Sequence, residues 1–329
     1  MAERASIIEQ VQIGPEDSLG SGGTADTRLR SIGIEPGIQV SLQSYVAKGG
    51  KFLVATALGK EWVQASTPGF ADYNELVYPF NSIFHGTTPS AAGTSASATT
   101  HAWLFQPSHN AADTPKTFYV ETGQAARAQS FNGGLWTEFT ISFDRDKVEV
   151  SGTMLGQAIA DGITLEASPA VVTSQPIVPT QVDVYLDGTS GNIGTTKLTR
   201  VLSGEFAVSN RYGPVWTVNS AAAAYAAAVE LEPTVQIKLM VAADSNGMAL
   251  LTALRTGSAQ YVRLKATGGT IAGTGTYLMQ ADMAVKWNEV GEYSDDDGVY
   301  AIEFTGSAFH DSAWGKAFSV LLQNVVSAL

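Results

Sequence analysis

The residues able to do chemistry in this chain are few and scattered. Four histidines, His85, His101, His109 and His310, stand far apart, and no two share the helical spacing that would aim both at one metal ion. The sequence holds no His-Glu-x-x-His, no Gly-x-Ser-x-Gly elbow, no Gly-x-x-x-x-Gly-Lys-Ser/Thr loop and no Gly-x-Gly-x-x-Gly after a strand. It contains no cysteine, which removes thiolate nucleophiles, cysteine-ligated zinc or iron–sulfur centres and disulfide frameworks. What remains is carboxylate chemistry. Asp144-Arg-Asp146 and Asp295-Asp-Asp297 are the best candidates for a hydrolase acid pair, but spacing alone does not place them at glycosidase distances, and the second resembles a fragment of a calcium loop. The second group lacks the alternate spacing and distal Glu of an EF-hand, so it reads as a turn with solvated carboxylates. Asp144-Arg-Asp-Lys147 reads as a charged hairpin turn between Ile141-Ser-Phe143 and Val148-Glu-Val150. These patterns imply no enzyme, no metal and no cofactor.

The elements that must position these residues are mostly strands. Thirty-three Gly and 12 Pro punctuate short alternating apolar runs. The clearest runs are 38–45, 118–121, 136–143, 182–186, 235–241, 261–264 and 299–304, and their alternation predicts antiparallel sheets with one buried face. Two short helices are expected. One opens on Asp72-Tyr-Asn-Glu75 as a capping box and is cut short by Pro79. The other covers 248–255, capped by Asp244 or Ser245 and closed by Gly257. The Ala-rich run 221–231 fits either class. Residues 86–100 and 267–276 read as loops on composition, Ser18 to Gly23 as a flexible tether, and 166–181, with three prolines, as a linker.

Composition bounds the function. The chain has 329 residues, 19 basic against 31 acidic side chains and a net charge of −12. That balance disfavours bulk electrostatic capture of nucleic acid. With 44% apolar residues and only 15% charged, the chain is no disordered polymer. Met-Ala-Glu-Arg-Ala-Ser lacks an apolar stretch after a basic start, so no signal peptide is expected, and no run reaches the ~20 apolar residues of a membrane span.

The linker near the midpoint suggests a duplication. Thr137-Glu-Phe-Thr-Ile-Ser142 lies 165 residues before Ile302-Glu-Phe-Thr-Gly-Ser307, Ile38-Gln-Val-Ser41 parallels Phe206-Ala-Val-Ser209, and Asp72 parallels Asp244. Residues 1–165 carry 10 basic and 16 acidic side chains and residues 166–329 carry 9 and 15, so each half is −6. In the Glu-Phe-Thr strands the apolar residues alternate with Glu138 and Glu303, which predicts that both glutamates lie on polar faces sharing one environment.

Spread along the chain are Thr27-Arg-Leu-Arg30 with Ile34-Glu-Pro36, Lys60-Glu-Trp62, Tyr73-Asn-Glu-Leu76, Asp113-Thr-Pro-Lys-Thr-Phe118 and Val148-Glu-Val-Ser-Gly-Thr-Met154. Gly194 to Arg200, Arg211-Tyr-Gly-Pro-Val-Trp216, Asp244 to Leu251, Asp297 to Glu303 and His310 to Phe318 follow. In this order they resemble the major tail tube proteins of long, non-contractile-tailed bacteriophages, especially those of actinobacterial phages. The resemblance implies a mainly β chain of two tandem tail-tube-like β-sandwich or partial-barrel domains, each with one flanking short helix. The expected divisions are an N-terminal arm at 1–26, a first domain at 27–165, the linker at 166–181 and a second domain at 182–329. It implies a virion protein assembled in the host cytoplasm, whose rings stack into a tube for DNA ejection. Three chains would form a pseudo-sixfold ring if the duplication holds, and six if it does not. Implied partners are further copies of the chain, the tape measure, tail terminator and tail tip proteins, and phage DNA passing without specific binding; no membrane is involved. Glu138, Glu303, Asp144, Asp146, Asp295, Asp296 and Asp297 are the candidate acidic lumen residues. A virion surface, receptor-binding or decoration module is the alternative.

Overall fold

The computed structural model describes residues 8–91, 99–218, 222–244, 247–296 and 298–329. The chain is mainly β. In order it forms β1 (Gln10–Pro15), β2 (Thr27–Leu29), β3 (Glu35–Val46), β4 (Leu53–Ser66), β5 (Gly69–Phe70), α1 (Val77–Ile83), β6 (Ser90–Ala91), β7 (His101–Phe105), β8 (Phe118–Gln124), β9 (Arg127–Phe143), β10 (Val148–Gly156), β11 (Ile159–Ile163) and β12 (Ala170–Val171). Then come β13 (Val182–Asp187), β14 (Val201–Ser209), β15 (Tyr212–Val215), β16 (Ala227–Glu230), β17 (Thr234–Ala242), α2 (Gly247–Thr256), β18 (Gln260–Ala272), β19 (Gly275–Val290), β20 (Ser294–Asp296), β21 (Val299–Ala308) and β22 (Phe318–Asn324).

One strand order occurs twice. Before residue 166 the ladders run β1-β8-β9-β10-β4-β3, and after residue 181 they run β13-β18-β19-β21-β17-β14, with every pair antiparallel. In each series the helix lies between the same strands in sequence, and α1 packs on β9 as α2 packs on β19. The two series are joined edge to edge by β9 and β14, Phe206 opposite Ile141. A second ladder, β7 with β22, also crosses the midpoint. The apolar faces fill one core, from Phe80, Phe139 and Ile141 to Phe206, Ile237, Leu239 and Phe304.

The registers correct the alignment expected from Glu-Phe-Thr. That match equates β9 with β21, whereas strand order equates β9 with β19 and β10 with β21. A bulge marks the true correspondence. β9 carries an extra residue, Thr137, between Trp136 and Glu138, and β19 carries an extra residue, Asn288, between Trp287 and Glu289. Both indoles are buried and both donate inward, Trp136 to the Thr67 hydroxyl at 3.2 Å and Trp287 to the Gln260 side chain at 2.6 Å.

Buried carboxylates fix the connections. The Asp72 carboxylate accepts the N–H groups of Asn74 and Glu75 and the Ser174 hydroxyl. It thus shapes the turn before α1 and ties down the expected linker. Glu75 does not close a capping box. It reaches instead to the N–H groups of Arg30, Ser31 and Ile32 and to the Ser31 hydroxyl. Burial pushes both carboxyls up, against the pull of these donors. Pro79 does not interrupt α1. It lies in the first turn, where its missing N–H would have no intrahelical acceptor. Gly257, at φ +63°, closes α2; Ser245 and Ala221 lie outside the described residues.

Four loop expectations change. Residues 10–15 of the expected arm form β1, held between β2 and β8. The Ser18–Gly23 tether is drawn onto the buried Glu16 carboxylate, which accepts Gly20, Gly22 and Gly133 N–H groups. Residues 267–276 extend the β18–β19 hairpin, with register shifts that absorb their glycines and small residues. Of 86–100, residues 90–91 form β6 and 92–98 lie outside the described residues.

Asp187, at the end of β13, organises the next loop. It accepts the N–H groups of Gly194, Thr195 and Thr196 and the Thr195 hydroxyl. Residues 196–198 are thereby laid against the outer edge of β13. Burial raises the Asp187 carboxyl, but these donors outweigh it and hold it below its ordinary 3.8. Its stabilisation is therefore present above that value and is lost as pH falls through the lowered one. Asp187→Ala should cost about 2 kcal/mol near neutrality. The difference in melting temperature from the unsubstituted chain should shrink as pH falls below 3.8 and the carboxylate takes up its proton.

Candidate functional site

Residues opposed in an antiparallel ladder share a face, so the registers carry that face from strand to strand. One row runs Glu149, Ser142, Glu205, Lys238, Thr305 and Glu289 across β10, β9, β14, β17, β21 and β19. On the same face Glu138 stands opposite Thr153, whose hydroxyl donates to it at 3.3 Å, and Glu303 stands opposite Met240. The strands of this face thus present Glu138, Glu149, Glu205, Glu289 and Glu303 against Lys238 and Lys286, a net negative surface. Lys238 approaches Glu205 at 3.7 Å. The opposite face, with Phe139, Ile141, Phe206 and Phe304, is buried.

The other candidate acids gather at one end. The Asp144–Lys147 segment is the predicted turn, closed by Asp144 accepting the N–H groups of Asp146 and Lys147 at 2.7 and 2.9 Å. Those two amides hold the Asp144 carboxyl below the ordinary carboxylate range. Arg145 reaches across to Asp296 at 3.5 Å, joining this turn to β20. A depression of about 240 Å³ is lined by Asp144, Glu205, Lys238 and Glu303, and a second of about 510 Å³ by Asp144, Arg145, Asp146 and Asp296. Asp144, Asp146, Asp296 and Glu303 are thus brought together, and Glu138 lies further along the face. Asp295 turns back to accept the Gly298 N–H at 2.9 Å, and Asp297 lies outside the described residues.

Chemically, this surface can repel anions and stay hydrated. The carboxyls that burial raises, Asp72 and Glu75, lie in the interior with their oxygens engaged by the donors above. Among the described residues, no three His, Asp or Glu side chains form a cluster able to hold a metal ion. Two larger clefts of about 770 Å³ each open elsewhere. One is lined by Glu16, Asn81, Thr87 and Lys116. The other holds His109 and His310, whose rings stack 3.6 Å apart. In its wall the buried Arg211 donates to the Ile83 and Phe84 carbonyls at the end of α1 and pairs with Asp113 and Glu230.

A second surface escapes motif reading. β3 and β4 form a hairpin in which Ile38, Val40, Leu42, Tyr45, Val46, Leu53, Val54 and Leu58 are each at least half exposed, and Phe52 near the tip is 82% exposed. Leu42 stands directly opposite Leu58, and Val46 opposite Leu53. The signal that finds this hairpin in the sequence is charge. Residues 36–60 contain Lys48, Lys51 and Lys60 and no acid, so they carry +3 while the remainder of the chain carries −15.

Among the described residues no helix is long and apolar enough to cross a membrane. No protein-family model matches the chain, and no curated protein matches it either.

Proposed function

We propose that this chain is a structural subunit that assembles with copies of itself into rings stacked as a hollow tube, the role of a phage tail tube protein. The observation that carries this reading is the β3–β4 hairpin. So many exposed aliphatic and aromatic side chains on one projecting element mark a surface built to be covered. Residues 36–60 of the hairpin carry +3 against −15 in the remainder of the chain, which makes another copy of the same chain the complementary partner. The acidic face of β10, β9, β14, β17, β21 and β19 is the proposed lumen wall. DNA phosphates moving past it would meet too few cationic side chains to displace their counterions and would not adhere. Three chains per ring, each supplying two repeats, give the proposed pseudo-sixfold wall. The tape measure, terminator and tip proteins are the proposed partners in the virion.

Electron microscopy of the purified, concentrated protein tests this directly. Rings or tubes are expected, with a light-scattering mass for single rings of three chains. A protein that stays monomeric at high concentration overturns the proposal.

A further inference from the structure

The joint between the two strand series has a property that single-copy folds lack: each of its two edges has a counterpart elsewhere in the same chain. Within the chain, the outer edge of β14 meets the outer edge of β9. Val208 lies opposite Phe139, Ala207 opposite Thr140, Phe206 opposite Ile141 and Glu205 opposite Ser142. The counterpart of β14 is β3. Glu205 opposes Lys238 in β17, Glu35 opposes Ser66 in β4, and Lys238 and Ser66 oppose Thr305 and Thr153 in turn. Glu35 therefore takes the place of Glu205, and Ile38 that of Val208. The counterpart of β9 is β19, aligned by the Trp136 and Trp287 bulges, so Val290 takes the place of Phe139.

Among the described residues, no strand pairs with the outer edge of β3 or with the outer edge of β19 beyond Val285, where β18 ends. Burial follows this difference. Val208 and Phe139 are each 1% exposed, whereas Ile38 and Val290 are 55% and 39% exposed. Beside the second edge Tyr293 and Tyr300 stack 4.7 Å apart, also exposed.

On the basis of the self-assembling role proposed above, we infer that copies join head to tail by the ladder already present inside each chain, β3 of one copy pairing antiparallel with residues 290–295 of the next. The register is set by the internal joint. Ile38 falls opposite Val290, and Gly37 opposite Gly291. One extra residue lies between Gly291, whose N–H still bonds Glu303, and Ser294, which opposes Ala301. Beyond it, Glu35 falls opposite Ser294. Pro36 contributes no N–H to this ladder. The contact uses two different surfaces, so it propagates, and it closes into a ring where the rotation per joint divides a full turn. It leaves the acidic face continuous across the boundary, because opposed residues share a face.

The absence of native cysteine makes the test clean. Opposed strand residues lie within the Cα separation that a disulfide spans. A double variant, Ile38→Cys with Val290→Cys, should form a ladder of covalent multimers under mild oxidation, while either single variant should form none. Hydrogen exchange on the unsubstituted protein gives a reading that depends on no variant: amides of 35–38 and 290–295 should gain protection together on assembly. Rings or tubes with no 38–290 bond and unprotected edges would overturn the register while leaving the tube role intact. Absence of any assembly would overturn both.

Discussion

Replacing Arg211 by alanine should lower the stability of the chain by about 3–5 kcal/mol, read as a shift in the urea midpoint. The guanidinium is buried, with 3% of the side chain exposed, and Asp113 beside it is almost as buried at 4%. Five interactions converge on it or beside it: Asp113, Glu230, the Ile83 and Phe84 carbonyls, and Tyr212, whose hydroxyl also donates to Phe84 at 3.2 Å. Alanine would leave a buried carboxylate without its partner and the carbonyls at the end of α1 short of a donor. Arg211→Lys keeps the charge but loses the planar fork, so its loss should be intermediate. A midpoint unchanged in Arg211→Ala would show that the network contributes nothing to the fold.

The second large effect concerns assembly and should leave the monomer nearly untouched. Leu42→Glu combined with Val54→Glu puts two carboxylates on the exposed hairpin. Surface substitutions of this kind change folding stability by about 0.5 kcal/mol or less each. Buried in a contact with another copy, each charge would be desolvated without a partner, a cost of several kcal/mol. At 1.4 kcal/mol per factor of ten, association should weaken by at least about a hundredfold. The expected result is a folded, monomeric protein with an unchanged melting temperature and no tubes in the microscope. Normal tubes from this variant would show that the hairpin takes no part in assembly.

Much of the fold was legible because alternation is a local property. The runs at 136–143 and 235–241 lie in strands with the apolar side chains inward, and the Asp144–Lys147 turn sits where its composition places it. Alternation says which residues share a face. It does not say whether that face meets a partner inside the chain. Ile38 and Val208 have the same type at corresponding places, yet only Val208 is covered. The repeated strand order was harder to find because the Glu-Phe-Thr identity joins strands with different neighbours. The shorter Trp-x-Glu at 136 and 287 marks the shared bulge. A bulge is a relation between two strands, so a single strand does not reveal it. The Arg211 network joins residues 83–84, 113 and 230, and no periodicity connects positions so far apart. Among the candidate acids, the pairing of the Asp144 turn with Asp296 depends on β9 and β21 lying in one sheet, which spacing alone does not encode.

The ladders that cross the midpoint also set an order of events during synthesis. β9 is complete when residue 143 has been made, but its partner β14 follows only with residues 201–209. At about 5–20 residues per second, that edge waits several seconds without its strand. β7 waits longer still. Its ladder partner is β22, at residues 318–324, and the Trp103 indole donates to the Val326 carbonyl at 3.1 Å. The first-made strands are therefore finished by the last-made ones, and the nascent chain spends most of its translation with unsatisfied sheet edges. On the proposed assembling role, copies would become competent only after residues 318–326 have been added, and incomplete chains would stay out of the polymer.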